Sequence, residues 1–332
     1  MTLHTIEKAK EEGMHIAFSS LQIPEEKELN IFDQFHVLQQ QAQNARLTIF
    51  TDISKQRLYS LGVKDIHELK KYGIEYLRLD DGFSVEDIAA LSNDFHIVLN
   101  ASTICTGLEG LLQKCNRSHI LACYNYYPEP YTGLTLYTVY RTNNYFHAFG
   151  LQTIAFIPGN KHLRGPIYEG LPTIENHRLS RKQVLRNALE LFHIGTDIVL
   201  IGDIDVEDSD WKNLGLLNQQ IINLPVTGTQ DLIPYLNIQH HDRVDASEWL
   251  FRSVESRRIQ NHELPPANTV YRSRGSICVN NRKFERYSGE LSIAKIDMPA
   301  DERVNVIGRV SEENMRLLDV LGNQIAINFI LE

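Results

Sequence analysis

IEYLRLD, residues 74–80, places a charged pair at the end of an apolar run. Tyr76, Leu77 and Leu79 make it a short strand. Period-two alternation puts Arg78 and Asp80 on one face. An unpaired charge inside such a strand is costly, so Asp80 is expected beside Arg78. Similar runs recur on either side: MHIAFSSL (14–21), LTIFTDI (47–53), FHIVLNAS (95–102), HILACYNYY (119–127), LQTIAFI (151–157) and DIVLIGD (197–203). They are mostly continuous rather than alternating, as strands buried on both faces are. Amphipathic stretches separate them. Ile31, Phe35 and Leu38 recur at helical spacing within Lys27–Arg46. Val184, Ala188, Leu191 and Phe192 do so within Ser180–Gly195, with Ser180 expected as N-cap and Gly195 as stop.

Strand–helix alternation of this kind predicts an α/β fold with a parallel sheet. Polar residues close nearly every strand: Ser19, Ser20, Asp52, Arg78, Asp80, Asn100, Asn125 and Asp203. In a (β/α) barrel those ends converge on one mouth, where active sites lie; in an open sheet they would spread along an edge. The expectation is therefore a TIM-type barrel. Seven strands are legible where a barrel takes eight, and the chain opens on a helix, Thr2–Glu12, so the first strand is the one expected to be lacking. The pattern changes near Ile221–Asp231, where Pro225 and Gly228 interrupt it. This places a barrel over 1–221 and a small β-rich domain over 222–332. In the latter, SICVNNRKFERYSGELSIAKI (276–296) reads as strand, Asn280–Asn281 turn and strand. RVNVIGRV (303–310) reads as a further strand, and SEENMRLLDVL (311–321) as a short helix capped by Ser311.

With 332 residues, 42% hydrophobic and 23% charged, the chain suits two globular domains. A net charge of −9 argues against a nucleic-acid partner. A few arginines can still reverse the field inside a cleft. Cys105, Cys115, Cys123 and Cys278 form no CxxC pair and match no zinc spacing, which reads as free thiols in a reducing cytosol. No apolar leader and no run of about 18 apolar residues is present, so no membrane association is expected. HExxH, GxSxG, GxGxxG and Walker patterns are missing, so neither a metal nor a nucleotide cofactor is expected.

Carboxylates carry the chemistry. Asp52, Asp80 and Asp203 close strands, while Glu169 and Glu175 lie in the long loop RGPIYEGLPTIENHR (164–178). Glycoside hydrolysis needs two carboxyl groups, one of them held protonated. A strand-end Asp otherwise caps the following helix. Arg78, Arg164 and Arg178 bring planar donors suited to phosphate or carboxylate to the same mouth; Arg252, Arg257, Arg274 and Arg303 do so in the second domain. CYNYYPEPYTGL (123–134) is dense in Tyr, either a sugar-stacking surface or a packed loop set by Pro128 and Pro130.

FSSLQIPEE (18–26), YNYYPEPYTGL (124–134) and RGPIYEGLPTIENHR resemble the bacterial 6-phospho-N-acetylmuramidase family. FRSVESR (251–257), RGSICVNN (274–281), RYSGELSI (286–293) and ERVNVIGRV (302–310) extend the resemblance over essentially the whole chain. It implies a TIM-type barrel followed by a cyclophilin-like domain. It implies hydrolysis of N-acetylmuramic acid 6-phosphate–N-acetylglucosamine to N-acetylmuramic acid 6-phosphate and N-acetylglucosamine, in the cytoplasm, during peptidoglycan recycling. That chemistry requires no cofactor. The family opens on a GxSxY strand, which this sequence lacks. A 6-phosphoglycosidase of other specificity and a non-catalytic sugar-phosphate-binding paralogue are the alternatives. Asp80, at a rigid strand end beside Arg78, is expected as base or nucleophile. Glu169, on a loop that would be desolvated on closure, is expected as the acid, with Asp52 in reserve. Arg78, Asn100, Asn125, Tyr127, Arg164, Glu175 and Arg178 are expected to bind substrate. The expected partner is a small phosphorylated disaccharide; the sequence leaves the oligomeric state open.

Overall fold

The protein is described by a computed structural model covering residues 3–21, 31–103, 107–259, 264–322 and 324–332. It divides into two compact units, Met1–Trp211 and Lys212–Glu332. Residues 22–26 of FSSLQIPEE, the start of the expected Lys27–Arg46 helix and Cys105 lie outside the described residues. Cys115, Cys123 and Cys278 are free thiols.

In the first unit seven strands run β1 Ile16–Ser20, β2 Thr48–Ile53, β3 Tyr76–Leu79, β4 His96–Asn100, β5 Ile120–Cys123, β6 Thr153–Ile157 and β7 Ile198–Ile201. They form one parallel sheet in sequence order, a nearly closed TIM-like barrel in which β1 approaches β7. The helices among them are α1 Leu3–Glu11, α2 Ile31–Asn44, α3 Lys55–Ser60, α4 Val85–Leu91, α5 Leu108–Leu112, α6 Leu136–Ala148, α7 Glu175–Leu179 and α8 Val184–His193. Helix α9, Asp208–Asn218, spans the division between the units.

Alternation along each strand sorts side chains between barrel interior and helix layer. Phe18, Phe50, Val98, Cys123, Ile154, Phe156 and Leu200 fill the interior as one apolar cluster. Leu77, Leu79, Ile97 and Leu99, on the other face, are buried as well. Each such side chain contributes about 1.5–3 kcal/mol on leaving water. This two-sided burial is why the runs read as continuous.

Helix α8 begins at Val184, not at Ser180. Ser180 instead closes α7: its hydroxyl donates to the Asn176 carbonyl (3.0 Å) and bonds Asn187 Oδ1 (2.8 Å). Gly195, at φ +84°, ends the segment in the left-handed region as expected.

The second unit holds a seven-stranded, mostly antiparallel sheet. Its strands are β8 Ile221–Gly228, β9 Gln239–His240, β10 Leu250–Arg252, β11 Ser276–Asn280, β12 Leu291–Ala294, β13 Val304–Val310 and β14 Ala326–Leu331. Their spatial order is β10-β12-β11-β13-β8-β14-β9, with only β8 and β14 parallel. The expected break at Ile221–Asp231 is thus largely a strand. Pro225 is tolerated inside it because β13 pairs only with Val226–Gly228. The tight turn expected at Asn280–Asn281 is also absent. Asn281 is fully buried, its amide bonded to Glu302 and Asn305 (2.9 and 2.8 Å). Its side-chain oxygen starts the 3₁₀ turn Arg282–Tyr287 by accepting from the Lys283 amide. The segment after Ser311 is likewise a 3₁₀ helix, Glu312–Asp319, without a side-chain cap onto its backbone.

Candidate active site at the barrel mouth

Strand register assembles the mouth. β1 pairs Ser20 with Asp52 of β2, and β2 pairs Asp52 with Arg78 of β3, so three polar side chains stand side by side at the strand ends. Ser20 Oγ donates to Asp52 Oδ2 (3.0 Å) and Arg78 Nη1 to Asp52 Oδ1 (2.6 Å). The same Nη1 lies 3.8 Å from Asp80 Oδ1. Arg78 Nη2 donates to Asn125 Oδ1. Asn100 Nδ2 donates to Asp80 Oδ1 (3.2 Å), and its own oxygen is fixed by the Ser102 amide (3.0 Å). Asp52, Arg78, Asp80, Asn100 and Asn125 therefore form one continuous network.

Helix capping does not account for these carboxylates. Ser54 caps α3, and Ser84 caps α4 in a capping box with Asp87. Asp52 and Asp80 are left to the barrel. They differ in access: the Asp52 side chain is 8% exposed and that of Asp80 is 32%. Burial pushes the Asp52 carboxyl up, against the attraction of Arg78 and with the repulsion of Asp80. Two carboxylates thus share one guanidinium, and the accessible one is Asp80. Beneath them burial raises the Cys123 thiol to about 12, so it stays a neutral packing group.

Tyr126 was not singled out in the sequence. Its ring stands edge-on to Phe18 (6.0 Å) and Phe156 (5.3 Å). Burial raises its hydroxyl's pKa, with Arg164 and Arg78 opposing and Asp52 and Asp80 adding. The hydroxyl thus stands among the charged groups of the mouth. Tyr127, expected at the site from the family resemblance, lies beyond β5, which ends at Cys123. Tyr127 is half-buried and holds the loop through its backbone.

Glu175 and Arg178 are turned onto loop backbone. Arg178, 7% exposed, donates to the carbonyls of Gly170 (2.7 Å), Glu169 (3.2 Å), Tyr127 (2.6 Å), Glu129 (3.3 Å) and Pro128 (3.5 Å). It also pairs with Glu175 through Nε (2.8 Å). Glu175 accepts from the amides of Tyr131 and Gly133 (both 2.9 Å). Burial opposes its charge, but Arg178 and these amides hold its carboxyl below the usual range. A Cβ on Gly133 would lie 2.7 Å from Glu175 Oε2, so glycine is required there. Asp203 does similar work on the loop after β6, accepting from Gly159 (2.8 Å), Leu171 (3.0 Å) and Arg164 (2.9 Å) backbone amides. Glu169 sits on the exposed arm of that loop. Its carboxylate makes no hydrogen bond or ion pair among the described residues.

Comparison with known proteins gives the family. Two solved structures superpose over nearly the whole chain. A conserved Enterococcus faecalis protein of unknown function is 29% identical with a TM-score of 0.78, covering 99% of this chain and 92% of that one. An uncharacterized B. cereus protein is 28% identical with a TM-score of 0.81, covering 99% and 94%. No curated protein matches. The family profile described as 6-phospho-N-acetylmuramidase, N-terminal, matches residues 1–216, and its C-terminal counterpart matches residues 224–330. On those two matches, which together take in both units, the chain belongs to the 6-phospho-N-acetylmuramidase family.

Proposed function

We propose that the protein is a glycoside hydrolase that cleaves N-acetylmuramic acid 6-phosphate–N-acetylglucosamine at the barrel mouth. The products are N-acetylmuramic acid 6-phosphate and N-acetylglucosamine, and the setting is cytoplasmic peptidoglycan recycling. Asp80 supports this reading most. It is an accessible carboxylate held by Arg78 and Asn100 over an apolar interior, the arrangement a base or nucleophile needs. Asp52 stays behind it, both oxygens engaged, and helps set the charge of the cluster through Arg78. Arg164, whose charge reaches the Tyr126 hydroxyl, would meet the anionic groups of the sugar, and that hydroxyl its hydroxyl groups. Glu169, on the exposed loop arm, is the proton donor to the leaving group.

The test compares the phosphorylated disaccharide with its unphosphorylated form. Wild-type protein should cleave the first and largely ignore the second. Asp80→Asn should lower kcat/KM by on the order of 10³-fold or more. Cleavage of both disaccharides at equal rates would move the assignment to another glycone. Tight binding of the phosphorylated disaccharide without turnover would make the protein a sugar-phosphate binder.

A further inference from the structure

The second unit carries a basic pocket of its own. It is a cavity of about 440 Å³ lined by Arg243, Arg257, Arg286, Tyr287, Ser288 and Glu290. Sheet topology builds it. Antiparallel pairing sets the end of β10 and the end of β11 beside the start of β12. Arg257 follows β10, Arg286 and Tyr287 lie in the turn after β11, and Glu290 immediately precedes β12. Three segments remote in sequence thus deliver three guanidinium groups to one place.

Their charge is only partly neutralised. Arg257 pairs with Glu290 (2.6 Å), and Arg243 with Asp245 (2.9 Å), which also takes Arg252 (3.4 Å). Arg286 has no carboxylate partner among the described residues. It donates to the Tyr287 hydroxyl (2.7 Å), and its guanidinium carbon lies 4.8 Å from the centre of that ring. Glu285, just before it, is held at φ +51°, ψ −117°, a strained conformation for a side-chain-bearing residue. Ser288, on the wall of the same pocket, is 8% exposed, and its hydroxyl has no partner among the described residues. A chain of net charge −9 has thus gathered converging cations, an unpaired buried hydroxyl and a strained backbone at one pocket.

We propose that this pocket binds the phosphomonoester group of a small phosphorylated sugar. A dianion with three acceptor oxygens complements fork-shaped donors from three sides. Tyr287, 38% exposed, offers an aromatic face beside it for the sugar carbons. A monocarboxylate would neutralise only one of the guanidinium groups. The inference rests on this pocket alone and does not depend on the activity assigned to the barrel.

The experiment is hydrogen–deuterium exchange on the full-length protein with glucose 6-phosphate, inorganic phosphate, glucose or acetate. Calorimetric titration with inorganic phosphate accompanies it. Glucose 6-phosphate and phosphate should slow exchange in segments 243–245 and 282–290, while glucose and acetate should not. Arg257→Gln with Arg286→Gln should abolish that protection. It should weaken phosphate binding at this site about tenfold or more, since each guanidinium supplies a charge-assisted hydrogen bond. Arg286→Gln alone breaks no ion pair, so it serves if the double variant fails to fold; Arg286→Lys should retain part of the protection. Unchanged exchange in these segments with phosphate, equal protection by acetate, or full protection in the variants would overturn the proposal.

Discussion

Two clusters of Asp, Glu and Arg stand at the same end of the barrel and are put to opposite uses. Asp52, Arg78 and Asp80 stand in or at the end of strands and bond side chain to side chain, with Asp80 the more accessible of the two carboxylates. Glu175, Arg178 and Asp203 bond mainly to backbone and hold the loops after β5 and β6 in place. The pKa directions follow. Burial outweighs attraction at Asp52 and raises it, whereas at Glu175 a guanidinium and two amides overcome burial and lower it. The first cluster holds charge against the cost of burial; the second stabilises the loops around it.

The sharpest way to break this contrast is Arg178→Met. It strands five loop carbonyls and leaves Glu175 without its cation. Carbonyls cannot relieve their desolvation by taking a proton. The expected loss is about 3–5 kcal/mol, read from denaturant midpoints at constant slope. A loss near zero would mean the loops are held by something else. Arg78→Met should cost less, about 1–3 kcal/mol. Asp52, already pushed up by burial, can neutralise itself when its partner goes. If Arg78→Met proves the more destabilising of the two, the strand cluster is the frame and the assignment reverses.

Much of the strand cluster was legible in the sequence, because a parallel barrel turns strand-end positions into neighbours. Arg78 within YLRL asked for an acid nearby; Asp80 lies 3.8 Å from it as expected, and register adds Asp52 beside it. The loop cluster was not legible in the same way. Arg178 and Glu175 looked like ligands for a phosphorylated sugar. Apart from each other, their partners are backbone groups, which every residue carries and no sequence pattern advertises. Tyr126 escaped for a related reason: alternation is a property of strands, and it sits three residues past the end of one. Pro225 misled because its effect depends on which neighbour pairs at that point, and β13 stops short of it.

The opposite pKa directions give a smaller effect with a definite sign. The native state holds the Asp52 proton to higher pH than the unfolded chain does. That group's contribution therefore falls as pH rises from about 3.8 through its raised native value. Glu175 contributes stability above 4.5 that is lost as pH falls through its depressed native value. Each limb has a slope of at most about 1.4 kcal/mol per pH unit. Unfolding free energies measured across this range for Asp52→Asn and Glu175→Gln should differ from wild type with opposite trends. Acidification below pH 4.5 should narrow the gap between wild type and Glu175→Gln, whereas acidification down to about 3.8 should raise wild type relative to Asp52→Asn. Trends of the same sign would show that both carboxylates belong to one kind of cluster.

Glu169→Gln should disturb the fold least, because its carboxylate is exposed and makes no bond among the described residues. A change within about 0.5 kcal/mol is expected, as for surface positions generally. Its effect on turnover separates two roles for the loop arm. If Glu169 protonates the leaving sugar, Glu169→Gln should abolish cleavage of the phosphorylated disaccharide. It should spare much of the activity on a 6-phosphorylated aryl glycoside, whose leaving group needs little protonation. If Glu169 only shapes the loop, both substrates should lose activity alike, through a less well-ordered mouth. Equal losses, or none, would pass the proton-donor role to Asp52, the remaining carboxyl group of the mouth whose environment already favours holding a proton.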